Sequence, residues 1–302
     1  MATASAPAVE ASGATLGPES RSVAALPPPP AVRPASVGPI RRFWRLNKGA
    51  LRAAALAIFS LAVFLFAWHV LASNRMTLYV RFVNIPPPGI VLDKARAALA
   101  TPVFVEHILI SCRRIALGFC IATFIAVPLG LVMGRFRLLR ETVLPVTELL
   151  RPIPAIAWVP MSIMLWPTNE ESIVYITFLG SFFPILLNTL HGMKSVDPVF
   201  VRAARCLGAK EATIFREVYF PAALPHIFTG LVVGMGVAWV SLIAAEMISG
   251  QFGVGYFTWE AYSLIQYADI VLGMVTIGLL GLLSSLALRG IGRVLMPWSA
   301  GK

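Results

Sequence analysis

Six stretches without a single Asp, Glu, Lys or Arg dominate the chain: residues 53–72, 115–134, 152–169, 172–193, 222–245 and 270–288. At about 1.5 Å of rise per helical residue, each approaches the length needed to cross a hydrocarbon core of about 30 Å. Backbone polar groups facing lipid are satisfied only inside helices or closed barrels, and these runs lack the apolar/polar alternation of barrel strands. The expected fold is therefore all-α: a polytopic membrane protein with six transmembrane helices. Composition agrees, since only 13% of residues are charged where soluble domains run near 25%, and mean hydropathy is +0.79. An ordinary soluble enzyme is excluded.

The net charge of +11 first suggests nucleic acid. Basic residues beside membrane spans instead mark cytoplasmic loops and anionic lipid, so no nucleic-acid partner is expected. Six alternating spans leave Arg75, Arg81, Lys94, Arg96, Arg113 and Arg114 on one side and the other 19 of the 25 Lys and Arg on the opposite side. Positive charge accumulates on the inner side, which predicts a multi-pass membrane protein with both termini in the cytoplasm.

Residues 1–40, rich in Ala, Pro and Ser, bury too little apolar surface to fold and read as a disordered cytoplasmic tail. Residues 41–72 form a basic flank and first span; a cleaved signal peptide is the competing reading, but the apolar stretch lies far from the start and is long for a signal core. Residues 73–114 read as an extracytoplasmic segment, with a turn at 86–89 and an amphipathic helix from about Ile90 to Arg114. Residues 115–302 form the core domain. Its stretch 152–169 is interrupted by Pro152, Pro154, Pro160 and Pro167, and a broken helix at membrane depth is tolerated only against protein or a cavity. Trp44, Trp68, Tyr79, Trp166, Trp259 and Trp298 fit an aromatic belt. Cys112, Cys120 and Cys206 lack metal-ligand or redox spacing, and the four His lie apart without a zinc motif.

The most informative connection is the polar segment 195–221, SVDPVFVRAARCLGAKEATIFREVYFP. Asp197 before Pro198 reads as a helix start, with one short helix over 199–207. Gly208 breaks it, a second short helix follows over 209–218, and the two make a compact knob. Ala203 and Ala204 would let the knob enter a partner's groove, while Arg202, Arg205, Lys210 and Arg216 surround it. An amphipathic helix pair lying on anionic membrane lipid remains an equal alternative.

The spacing Ala203-Ala204, three residues, Gly208, nine residues, Val218-Tyr219-Phe220-Pro221 resembles the EAA loop of binding-protein-dependent ABC importer permeases. Their pattern is Glu-Ala-Ala, three residues, Gly, nine residues, Ile-x-Leu-Pro. Arg202 departs from it in place of Glu, and Val218 and Phe220 depart conservatively. The stretches GRFRLLRETVLPVTELLRPIPAIAWVPMSIMLW (134–166), FPILLNTLHGMKSVD (183–197), FPAALPHIFTGL (220–231) and AAEMISGQFGVGY (244–256) resemble the nitrate, sulfonate and taurine group, with its bicarbonate relatives.

The resemblance implies the MetI-like permease fold, a transport subunit without its own ATPase site, and a loop 195–221 that couples to two cytoplasmic ATP-binding subunits. It further implies a second permease copy, a homodimer, and a periplasmic substrate-binding protein. No cofactor is expected on this chain; ATP is used by the partner subunit, and no GxxxxGK[ST] loop occurs. The substrate would be a small oxyanion of nitrate, sulfonate or taurine type. For such an anion the path needs hydroxyls and dipoles, and the candidates are Trp158, Ser162, Asn188, Thr189, Thr229, Trp239, Ser241 and Glu246. Helix packing is the alternative role for each. Another small solute, and from a different class a self-contained secondary carrier, remain open; a carrier would need a buried acid or base away from span ends, and none is expected. A membrane-embedded enzyme lacks its GxSxG or HExxH.

Overall fold

The computed structural model describes residues 39–74 and 84–299. The expectations for the tail before residue 39, and for Arg75, Tyr79 and Arg81, fall outside these residues. The chain divides into two units, Met1–Phe59 and Ser60–Lys302, and all the packing below lies in the second. Most of the described residues are helical, and none of them is in a strand.

Eleven α-helices are present among them: α1 Pro39–Ser73, α2 Pro88–Leu99, α3 Pro102–Arg135, α4 Arg137–Leu150, α5 Val159–Leu165, α6 Asn169–Lys194, α7 Pro198–Cys206, α8 Glu211–Ile214, α9 Phe220–Ser249, α10 Val254–Ser263 and α11 Tyr267–Leu295. Five helical stretches are long and apolar enough to span, and α4 with the segment to Leu165 makes a sixth if that bent pair counts as one.

The core is a sandwich of α6 between α3 and α9. Small residues make the close packing possible. On α3, a Cβ added at Gly118 would lie 2.8 Å from Thr177 Cβ, and one at Gly130 would lie 2.8 Å from Thr189 Cβ. Those two glycines let the parallel helices α3 and α6 approach closely, which matters in lipid because packing, rather than escape from water, holds spans together. Ala122 and Ala126 of α3, Ile173, Ile176, Ile185 and Leu186 of α6, and Ala238, Leu242 and Ala245 of α9 are fully buried in the result. A smaller cluster joins Val91 of α2, Phe104 of α3 and Leu272 of α11, with Trp68, whose Nε1 donates to Pro86 O at 3.1 Å.

Three expectations need correction. The amphipathic stretch 90–114 is two helices, because the chain turns at Ala100 and Thr101 ahead of Pro102; Arg113 and Arg114 lie well inside α3. The third span is no single helix. Its prolines leave a 3-10 turn, Ala155–Trp158, and the seven-residue α5, set at 85° to α4, which itself replaces the expected loop 135–151. Finally, the second helix of the knob does not stop before Pro221. Glu211–Ser249 is continuous, with a π turn at Phe215–Tyr219 ahead of Phe220. That wider turn makes room for the Pro221 ring, which in regular α geometry would press on the carbonyl four residues back.

Candidate functional site

Three places carry the polar chemistry. The first is the end of the core where α3 begins and α9 finishes. Arg114 and Glu246 are both buried there, the latter completely. Arg114 Nη1 donates to Glu246 Oε1 at 2.9 Å and to Phe252 O at 2.5 Å, while Nε donates to Glu170 Oε2 at 3.0 Å and Nη2 to the other Glu170 oxygen. Glu246 also accepts from Ser111 Oγ at 2.8 Å and from the Gly255 amide at 2.9 Å. Ser111 Oγ accepts from the Val254 amide at 2.9 Å, and His107 Nδ1 from the Gly253 amide at 3.0 Å. Gly253 has φ +119, and a Cβ there would collide with the Glu246 carboxylate, so the bare backbone of this loop packs directly on the acid that accepts from the Gly255 amide.

An ion pair taken out of water loses hydration worth several kcal/mol per charge, and only such a full set of hydrogen bonds offsets that. The expectation that no span holds a buried acid or base is therefore overturned. Glu246 is not a solvated helix end; it ties α9 to α3, and Arg114 extends the tie to the start of α6.

The second place is a cavity of about 340 Å³. Its wall includes Arg151, Trp158, Gly180, Asn188, Val233 and Val237. Of the path candidates, Trp158 and Asn188 meet here. Asn188 Nδ2 donates to Pro184 O at 2.8 Å. Thr229 lies apart, lining a groove between α9 and α11 with Arg289 and Arg293, its hydroxyl on Pro225 O. Ser162, Thr189, Trp239 and Ser241 are buried between helices. Ser162 Oγ shares a 2.6 Å hydrogen bond with Ser172, Thr189 Oγ1 donates to Ile185 O, and Trp239 Nε1 to Ser284 Oγ at 2.9 Å. Ser241 sits against Gly180.

The third place is the knob at the opposite end of α9. Asp197 Oδ1 caps α7 by accepting from the Val199 amide at 2.8 Å, with Pro198 in the first turn. Gly208, at φ +80, ends α7: its amide donates to Arg205 O and the Ala209 amide to Ala204 O, the two bonds of a Schellman motif. Gly208 is thus a fixed left-handed cap. Val199, Phe200 and Leu207 are exposed, Leu207 at 88%, beside exposed Arg202 and Ala203 and half-buried Ala204. Val218 and Pro221 are half-buried in the continuous helix, and Phe220 is exposed. Glu211 braces the knob, accepting from Arg205 Nε at 3.0 Å and from Arg135 Nη2 at 2.6 Å. Among the described residues no group of His, Cys, Asp and Glu is placed to hold a metal ion.

Residues 126–300 match the family model of the binding-protein-dependent transport system inner membrane component. The chain belongs to this family. The taurine transport system permease protein of Escherichia coli is 33% identical over 252 residues, 82% of this chain and 90% of that protein. The nitrate import permease protein of Synechocystis is 31% identical over 233 residues, 74% of this chain and 82% of that one. A chain of the methionine ABC transporter in an inward-facing conformation superposes with a TM-score of 0.54 at 18% identity, covering 64% of this chain and 95% of its own, which shows the shared MetI-like fold.

As an ABC importer permease, the chain is an integral membrane transport subunit, and the ATPase is a separate subunit. It works with ATP-binding subunits and a substrate-binding protein.

Sequence reasoning missed Arg114, Ser111, His107, Glu170, Arg151 and Glu211 as parts of these places. One signal was available: the pair Arg113-Arg114 directly adjoins the apolar run 115–134, where an unpaired cation is costly.

Proposed function

We propose that this permease moves a small oxyanion of nitrate, sulfonate or taurine type into the cytoplasm, driven by two ATP-binding subunits that dock on the knob formed by α7, Gly208 and the start of the Glu211–Ser249 helix. The observation that carries the docking is the exposure of Phe200 and Leu207 on a helix rigidly capped at both ends and braced by Glu211. Exposed apolar side chains on a stiff element suit a protein groove, because a preorganised surface loses little entropy on binding. The anion is supported by the nitrate and taurine relatives and by a cavity wall that holds no acid.

On this reading the termini and the knob face the cytoplasm, where the excess of Lys and Arg belongs. Two copies of the chain pair as a homodimer, one knob per ATPase subunit, and anionic lipid lines the basic inner rim. Arg202, Ala203, Ala204 and Gly208 shape the docking face, while Val218, Phe220 and Pro221 join it to the spanning helix. Glu246 holds the opposite end closed, and the buried Ser162, Thr189, Trp239 and Ser241 hold helices rather than substrate.

The test is co-purification of the ATP-binding subunit with Leu207→Glu and Phe200→Glu variants in intact membranes. Loss of that subunit, with the permease still inserted, is the expected outcome. Retention of it, or labelling of a Cys at position 207 from outside the cell, overturns the docking and orientation. Uptake that persists without any ATP-binding subunit overturns the drive.

A further inference from the structure

Charge counting places Arg151 in an inner loop, yet the residue sits at the corner where α4 meets the 3-10 turn, on the wall of the 340 Å³ cavity. The rest of that wall comes from the middle of two spans: Leu179 to Asn188 of α6, and Val233 and Val237 of α9. Pro184 is about 15 Å from the nearer end of α6 at about 1.5 Å per residue. A guanidinium at that depth is unfavourable unless it meets an acid or faces an aqueous opening. Arg151 has no carboxylate and no side-chain hydrogen bond among the described residues, and it is exposed. It is also the sole ionisable group on this wall, which is otherwise apolar apart from Asn188 and Trp158, whose indole N–H has no hydrogen-bond partner among the described residues.

Pro152 and Pro154 follow directly, and their fixed φ stiffens the corner that carries the arginine. The guanidinium is a planar fork of donors, suited to two oxygens of one oxyanion. The cavity is far larger than such a head group, so it selects by charge and releases readily, as conduction requires.

We propose that Arg151 is the anion-recognising residue of the translocation path, taking the oxyanion head in two parallel N–H···O bonds, with the Trp158 indole N–H as a third donor. This inference rests on the small-oxyanion reading above.

The test uses the whole transporter, permease with its ATP-binding subunits and binding protein, in proteoliposomes, with nitrate and taurine as the probes and uptake normalised to assembled complex. Arg151→Gln is expected to lower initial uptake about tenfold or more, and Arg151→Lys to fall between it and the wild type. Arg151→Cys, made with Cys112, Cys120 and Cys206 replaced by Ser, recovers uptake with a cationic methanethiosulfonate and not with an anionic one. Uptake by Arg151→Gln within about twofold of wild type, or equal recovery with both reagents, overturns the inference while leaving the small-oxyanion reading intact. Failure of the wild-type complex to import either probe overturns that reading, and this inference with it. Should Arg151→Gln fail to assemble, the two reagents on the Cys variant decide.

Discussion

Arg114 Nη1 and Glu246 Oε1 stand 2.9 Å apart with both side chains out of solvent, joining α3 to α9 across 132 residues of sequence. In lipid-facing helices such a pair is held by geometry: each oxygen of the acid and each nitrogen of the fork has a partner, so neither charge is left bare.

Removing the arginine strands the acid, whereas removing Glu246 leaves Arg114 paired with Glu170. Arg114→Met is expected to destabilise by about 3–5 kcal/mol, since Glu246 remains as an uncompensated buried charge, whereas replacing both Arg114 and Glu246 by Met should cost clearly less. Thermal unfolding of the detergent-purified permease, run as a double-mutant cycle, measures the difference. Equal losses for the single and double variants would refute the pairing as the source.

Gly208 at φ +80 predicts a second result. Any side chain there strains the left-handed cap by about 1–3 kcal/mol, and it disturbs the knob before it disturbs the spans, because nothing lies within 4 Å of an added Cβ. Gly208→Val should therefore insert and assemble but lose substrate-stimulated ATP hydrolysis, while Gly208→Asn, which tolerates this conformation, keeps most of it. Full coupling in the Val variant would remove the knob from the mechanism.

The α3–α6 contact gives a third. A methyl at Gly118 would meet Thr177 Cβ at 2.8 Å and Val174 O at 2.9 Å, neither of which is a flexible tip. Gly118→Ala should cost about 1–3 kcal/mol by forcing the helices apart, with partial recovery on adding Thr177→Gly. An unchanged melting temperature would mean the helices separate freely.

Much of this architecture was readable from charge and apolarity alone. Five of the apolar stretches coincide with long helices, and the Asp197-Pro198 start and Gly208 stop bound α7 as the local chemistry demands. The third stretch resisted because four prolines forbid a regular helix without saying where the chain turns. Arg114, Glu246 and Arg151 resisted for another reason. Spans delimited by freedom from charge push every charged residue to a boundary by construction, so no counting distinguishes an arginine at the rim from one folded into the interior. The expected end of the second knob helix at 218 failed because a π turn, invisible to local pattern, lets the helix run on without a break.

That π turn has a consequence for how force travels. Because the helix never ends between Glu211 and Ser249, the residue that braces the knob and the acid paired with Arg114 belong to one continuous helix about 58 Å long. With an ATP-binding subunit docked as proposed, tilting that helix at the knob would strain the pairing around Glu246, so events at its two ends would need no relay between them.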